Sequence, residues 1–328
     1  MSRIYKTRIT EMLGIQYPIL CGGMQWVSRA EFVAHVCNAG GMGFITAESL
    51  ETPEDLRDEI KKMRDLTDKP FGINLSMVPE FGLPERTLKF CDVICDEGVK
   101  FVETAGRRPD PLMPVLKAGN VKVIHKLTNI RHAKSAQKIG VDAITILGFG
   151  SGGHVGMDDV SSFILLPMAI KALDVPVIAG GGVASGSGLI GALAMGAEAV
   201  LLGTAFFASK EAPVHDEIKQ KLVDTRENET TLLLRSVNNA LRVAKNRLSD
   251  ECLEKEAQGA TLEEIITVVA GGKGKAAYFS GDAESGPVPC GQVVGMVEEV
   301  KPVKQIIVDM IAEADQLMDR MSQVITVG

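Results

Sequence analysis

"VPVIAGGGVASGSGLIGALAMGAEAVLLGT", residues 175–204, sets two short apolar runs rich in β-branched residues on either side of a helix-like spacer, with three glycines directly after the first run. Runs that are apolar on both faces and alternate with helices belong to a parallel sheet. What the sheet becomes depends on how often the unit repeats. Upstream, "YPILCGG" (17–23), "MGFITA" (42–47), "PFGINLSM" (70–77), "KFVETAG" (100–106), "VKVIHKL" (121–127) and "DAITILG" (142–148) repeat the strand half. Spacers such as "RAEFVAHVCNAG" (29–40) and "IRHAKSAQKIG" (130–140) supply the helical half, several ending at a glycine suited to a C-cap. Eight such units close an α/β barrel of the (β/α)8, or TIM, type. An open doubly wound sheet is the alternative, but "LCGGMQW" (20–26) does not fit the G-x-G-x-x-G that would follow its first strand.

The alternation stops after Ser209. We expect residues 1–209 to form the barrel, residues 210–285 an inserted helical subdomain that includes "SVNNALRVAKNRLSD" (236–250), and residues 286–328 a C-terminal segment whose helix, from about 302 to 324, packs back on the barrel. The totals narrow the partners. A net charge of −7 over 328 residues speaks against nucleic acid or an anionic membrane, each of which calls for a basic face. No apolar run is long enough for a membrane span, and the first residues lack the apolar core of a signal peptide, so a cytoplasmic protein is expected. The six cysteines lie mostly in apolar stretches without zinc-ligand spacing, and read as reduced, buried thiols with no metal site. Small molecules are the expected partners.

In such barrels the active site forms at the C-terminal ends of the strands, with a phosphate grip after the last two. Gly181, Gly182, Gly203 and the Thr204 hydroxyl fit that grip, since bare backbone N–H groups bind an anion without a cation. "GFGSGGHVG" (148–156) strips side chains from the loop after the sixth run yet keeps His154 at its centre; a backbone cradle beneath a flat ligand explains both, and a bare turn with a solvated histidine is the plain alternative. On the same rim, Gly23, Met24 and Gln25 follow the first run, and Asn74 and Ser76 end the third. His125 and Lys126 are neighbours in the fifth, and alternation lets only one of them face the barrel mouth. "RRPD" (107–110) offers a cationic rim for nicotinamide phosphates or, more simply, solvated loop charge. His35, His132 and His215 read as surface residues.

These stretches together, with "YPILCGGMQWVSRAE", "LTDKPFGINLSMVPE", "VKVIHKLTNIRHAKSAQKIGVDAI", "GGHVG" and "AVLLGTAFF", resemble the FMN-dependent nitronate monooxygenase-like flavoproteins, formerly 2-nitropropane dioxygenases, from Thr7 to the terminal helix. The resemblance implies an oxidoreductase with tightly bound FMN, and three activities occur in the group: nitronate oxidation, enoyl-ACP reduction and NADH:quinone reduction. "GGMQW" and "HKLTNIRHA" look like the quinone reductases, whereas "GQVVGMV" (291–297) also resembles the enoyl reductases. A non-catalytic FMN or phosphate-ligand binder is the alternative from another class. By resemblance the FMN site comprises Gly23, Met24, Gln25, Asn74, Ser76, Lys126, Gly152, Gly153, Gly181, Gly182, Gly203 and Thr204, with His154 as catalytic residue and Pro79 and Glu80 at the substrate gate. NADH or NADPH is the implied co-substrate, a quinone or nitronate its counterpart, and a homodimer a possible assembly.

Overall fold

The computed structural model describes residues 3–77 and 85–325. All eight expected runs are strands: β1 (Ile19–Cys21), β2 (Met42–Thr46), β3 (Gly72–Met77), β4 (Phe101–Gly106), β5 (Lys122–Leu127), β6 (Ala143–Leu147), β8 (Val177–Gly180) and β9 (Ala199–Leu202), with the two-residue β7 (Gly153–His154) standing outside the ring. Each of the eight pairs in parallel with the next, and β9 closes on β1 with Ile19 beside Val200. This is the (β/α)8 barrel that the repeat count predicts. Its floor is packed by Leu20, Met42, Phe44, Ile124, Ile178 and Leu201. A short helix, Arg8–Leu13, adds Ile9 and Leu13 from below. That helix is held by a Thr7 capping box, and Thr7 Oγ1 donates to Glu198 O just ahead of β9.

The helix Val303–Val324 does more than pack on the outside. It lies against the helix Gly186–Ala194, which follows β8, and against Ala30–Asn38, which follows β1. That is the place of the eighth barrel helix. Val303, Ile307, Met310, Ile311 and Ala314 are buried there, and Glu313 accepts from the Gly186 and Ser187 amides. The stretch between β9 and this helix is therefore an insertion in the last strand-to-helix connection.

The insertion is not all helical, contrary to the sequence expectation. Residues 236–250, read there as one helix, divide into strand β11 (Leu241–Ala244) and the start of the helix Arg247–Ala257. Strand β10 (Thr230–Leu233) pairs antiparallel with β11, and β11 pairs in turn with β7. Local features mark the boundaries. Leu234 and Asn238 adopt positive φ and turn the chain back, and Asn246 caps the next helix, accepting from Ser249 N at 2.8 Å.

Candidate active site

Strand register decides which side chains enter the mouth. Thr46, Asn74, Glu103 and Ile124 are successive partners across β2 to β5, and one step higher Ser76, Ala105, Lys126 and Thr145 align. Ile124 belongs to the barrel interior, so Glu103 and Lys126 point inward with it. Thr104 and His125 have the opposite parity and face the helices, where Nδ1 of His125 lies 2.8 Å from Thr104 Oγ1. Burial pulls the His125 imidazole down to about 4. The alternation left open in the sequence thus resolves in favour of Lys126.

Lys126 is not a lone cation, however. Its Nζ donates to Glu103 Oε2 at 3.0 Å, and that oxygen also accepts from Asn74 Nδ2 at 2.6 Å and Gly23 N at 3.0 Å. Ser76 Oγ donates to Asn74 Oδ1 at 3.2 Å and extends the network to the rim. Glu103 is fully buried, and sequence reasoning misses it: the one signal is an acid inside the apolar run "KFVETAG", which reads simply as strand. A buried carboxylate needs paired donors, and the strand-three amide and strand-five ammonium provide them.

Within these two layers the polar inventory is incomplete. Thr46 Oγ1, Thr145 Oγ1 and Glu103 Oε1 are buried without a hydrogen-bond partner among the described residues. Buried polar groups are rarely left so. The glycines there are spatially required. A methyl at Gly23 would collide with Asn74, and one at Gly181 with Ser151 Oγ. Gly181 and Gly182 both have positive φ, and the space beside Gly182 is open. Beside Gly203 an added methyl would lie 3.9 Å from Met24 Sδ, an ordinary contact.

Thr204 is buried, and its hydroxyl accepts from Gly291 N at 2.9 Å, which ties the C-terminal segment to the β9 loop. Gly152 sits against the backbone of Cys290 and Gly291. Gln292 N donates to Gly150 O at 2.9 Å and fastens that segment to the start of the His154 loop. His154 itself is exposed at the rim, in β7, with Leu241 as its strand partner. Arg242 clamps the same loop: its guanidinium donates to Phe149 O at 3.1 Å and stacks 4.6 Å from the centre of the Phe149 ring. The inserted hairpin thus fixes the histidine loop in place.

Around the rim, Gln25 is exposed and Met24 half-buried, while Trp26 beside them takes φ 67° and lies under Lys275 Nζ, 4.5 Å from its ring centre. Lys275 belongs to the helix Gly271–Ser280, so the insertion also walls the mouth beside β1. Next to β2, burial pushes Glu48 up to about 7 against the pull of the nearby Ser76 amide and Arg86. Pro79 and Glu80 lie outside the described residues. His35, His132 and His215 are exposed, as expected, and the cysteines are free thiols, all buried except the half-buried Cys95. Among the described residues no cluster of side chains could hold a metal ion, and no helix is long and apolar enough to cross a membrane.

The family model for nitronate monooxygenase matches residues 6–86 and 80–313. A (3aS,4S,5R,7aS)-5-hydroxy-7a-methyl-1-oxo-octahydro-1H-indene-4-carboxyl-CoA dehydrogenase of Rhodococcus jostii is 30% identical, over 96% of this chain and 98% of the relative. Among solved structures, FabK from Thermotoga maritima superimposes with a TM-score of 0.90 at 34% identity, covering 98% of this chain and 99% of that one. A nitroalkane oxidase from Streptomyces ansochromogenes gives a TM-score of 0.81 at 25% identity, covering 96% of this chain and 99% of that one.

Proposed function

The chain belongs to the nitronate monooxygenase family and is an oxidoreductase, and from that premise we propose that it holds FMN across the barrel mouth and passes hydride from NADH or NADPH to a quinone. One observation carries the reading: a polar layer of Asn74, Glu103 and Lys126 with three unpartnered buried oxygens, facing glycine loops after β8 and β9. That donor and acceptor set fits the polar edge of a flavin, and the open backbone at Gly182 and Gly203 fits its phosphate. When bound, FMN supplies a two-electron centre that takes up hydride and returns it.

The remaining work falls to the chain. Asn74 and Lys126 are oriented by Glu103, so their free N–H groups are held at fixed positions toward the mouth. Because Lys126 is paired with a carboxylate, the pair carries no net charge, and its contribution is directional hydrogen bonding more than a bare positive field. Met24 and Gln25 line the rim by β1, and Gly152 and Gly153 keep the facing loop low. His154 serves as a hydrogen-bond donor to the carbonyl of the acceptor, a role that needs no perturbed imidazole.

A second reading has its own support. The Rhodococcus relative is named for a carboxyl-CoA substrate, which favours an acyl thioester as the acceptor or donor in place of a quinone. Purified protein should be yellow, bleach anaerobically with NADH or NADPH, and regain colour with the true acceptor. A panel of quinones, enoyl thioesters and alkyl nitronates then ranks the readings: recovery with thioesters alone removes the quinone, and oxygen uptake with a nitronate by protein that ignores both nicotinamides removes the reductase altogether. His154→Ala should lower quinone kcat/KM about tenfold, the worth of one hydrogen bond to a polar group in an active site.

A further inference from the structure

The cationic rim at residues 107–110 is not alone. The helix Ile130–Lys138, which follows β5, brings Arg131, Lys134 and Lys138 to one face by i, i+3, i+7 spacing. With Ile130 and Ser135 they line a concavity of ≈ 490 Å³. Arg108 joins them, donating to Ser135 Oγ at 2.7 Å and to Asp110 at 2.6 Å. Asp110 is the only carboxylate paired with any of these cations: among the described residues, Arg107, Arg131, Lys134 and Lys138 make no ion pair. On a chain of net charge −7, unneutralised cations gathered in a hollow mark a place for an anion. The helix end does not compete for it, because Asn129 Oδ1 already accepts from Arg131 N and His132 N.

The hollow adjoins the active site. Asn129 Nδ2 donates to Asp158 Oδ2 at 2.6 Å, and Gly156 packs on Thr128, so the helix start and the His154 loop are in direct contact. Several cations, one hydroxyl and one aliphatic wall suit a ligand with several phosphates and a flat apolar body. Resting on the reading of the mouth as a redox site for a nucleotide-bearing substrate, we infer that this groove binds the ribose-phosphorylated adenosine diphosphate end of that substrate, the chemistry common to NADPH and a CoA thioester. Arg131 and Lys134 hold the ribose phosphate, Arg108 stays tied to Ser135 as one wall, and the reactive arm runs past the Thr128 turn toward His154.

Calorimetric titration of the full chain with adenosine 2′,5′-bisphosphate, adenosine 3′,5′-bisphosphate and AMP tests this. One bisphosphate should bind about tenfold more tightly than AMP, and Arg131→Gln/Lys134→Gln should erase that margin, since each charge-assisted bond to phosphate is worth roughly that factor. Affinity should fall with added salt. Preference for the 3′ isomer assigns the groove to a CoA thioester, and preference for the 2′ isomer to NADPH. Lys138→Gln, further along the helix, should weaken binding less, and equal melting temperatures show that the variants are folded. Equal affinity for all three nucleotides, binding unchanged in the double variant, or capture of an acidic carrier protein with neither bisphosphate bound would each overturn the proposal. The titration does not depend on flavin: colourless protein that binds a bisphosphate sinks the FMN reading alone, and yellow protein reduced by NADH that ignores both bisphosphates sinks the groove alone.

Discussion

Removing Lys126 and removing Glu103 should not cost the same. Lys126→Met leaves a fully buried carboxylate with one oxygen already unpartnered, and we expect a loss of about 3–5 kcal/mol. Glu103→Gln keeps an acceptor for Gly23 and Asn74 and leaves an ammonium with some solvent access, so about 1–3 kcal/mol is expected. Urea denaturation of the two variants side by side checks the order. Two other buried groups set opposite pH slopes. The unfolded chain protonates His125 near 6.5, while the fold keeps it neutral down to about 4. The unfolded state therefore binds more protons in that window, and stability drops as pH falls from 6.5 to 4, by on the order of 3 kcal/mol at most. Glu48 works the other way. The fold keeps its proton up to about 7, so its contribution is full below 4.5 and is lost as pH rises to 7. Between 4.5 and 6.5 the two oppose each other. Denaturant midpoints at stepped pH should show a falling slope with rising pH in His125→Asn and a rising one in Glu48→Gln.

At the scale of elements, the two glycines after β8 separate strain from contact. Gly181→Ala meets both a positive φ and Ser151, and should destabilise the fold as well as abolish flavin retention. Gly182→Ala meets only the positive φ, at a cost of about 1–2 kcal/mol, so it should lower the melting temperature less than Gly181→Ala while filling the open space where the proposed function seats a phosphate. Flavin content after gel filtration, set beside a melting curve, distinguishes the two outcomes. The histidine loop is a graft of another kind, since β7 has only two residues and relies on β11 and the Arg242 clamp. Arg242→Met should speed amide hydrogen exchange at residues 153–155 more than anywhere in the barrel. The eight barrel strands were legible because a strand buried on both faces writes itself as an unbroken apolar run. β11 was not, because "LRVA" is short and flanked by polar residues that also suit a helix, and what makes it a strand is its pairing with residues far away in sequence. The same holds within the site. Its glycines carry a visible pattern, whereas Glu103 acquires its meaning only from Gly23, Asn74 and Lys126, which come from three other strands or strand ends.

Across the whole molecule, the barrel is completed by a helix that comes after the insertion. Ending the chain at residue 302 would uncover the faces of the helices Gly186–Ala194 and Ala30–Asn38 that the helix Val303–Val324 covers and discard five buried side chains. At about 1.5–3 kcal/mol for each larger side chain, that is comparable to the whole stability of an ordinary domain, so such a truncation should yield insoluble protein. Expression of soluble protein from that shortened chain, judged by gel filtration, would contradict this. The late arrival of this helix also bears on biosynthesis. While the ribosome is still making residues 210–302, the finished loops of the mouth sit on a ring with an apolar gap in its wall. Nascent chains of this length are then natural clients for chaperones, and the ring cannot close its wall until residues 303–324 have been made.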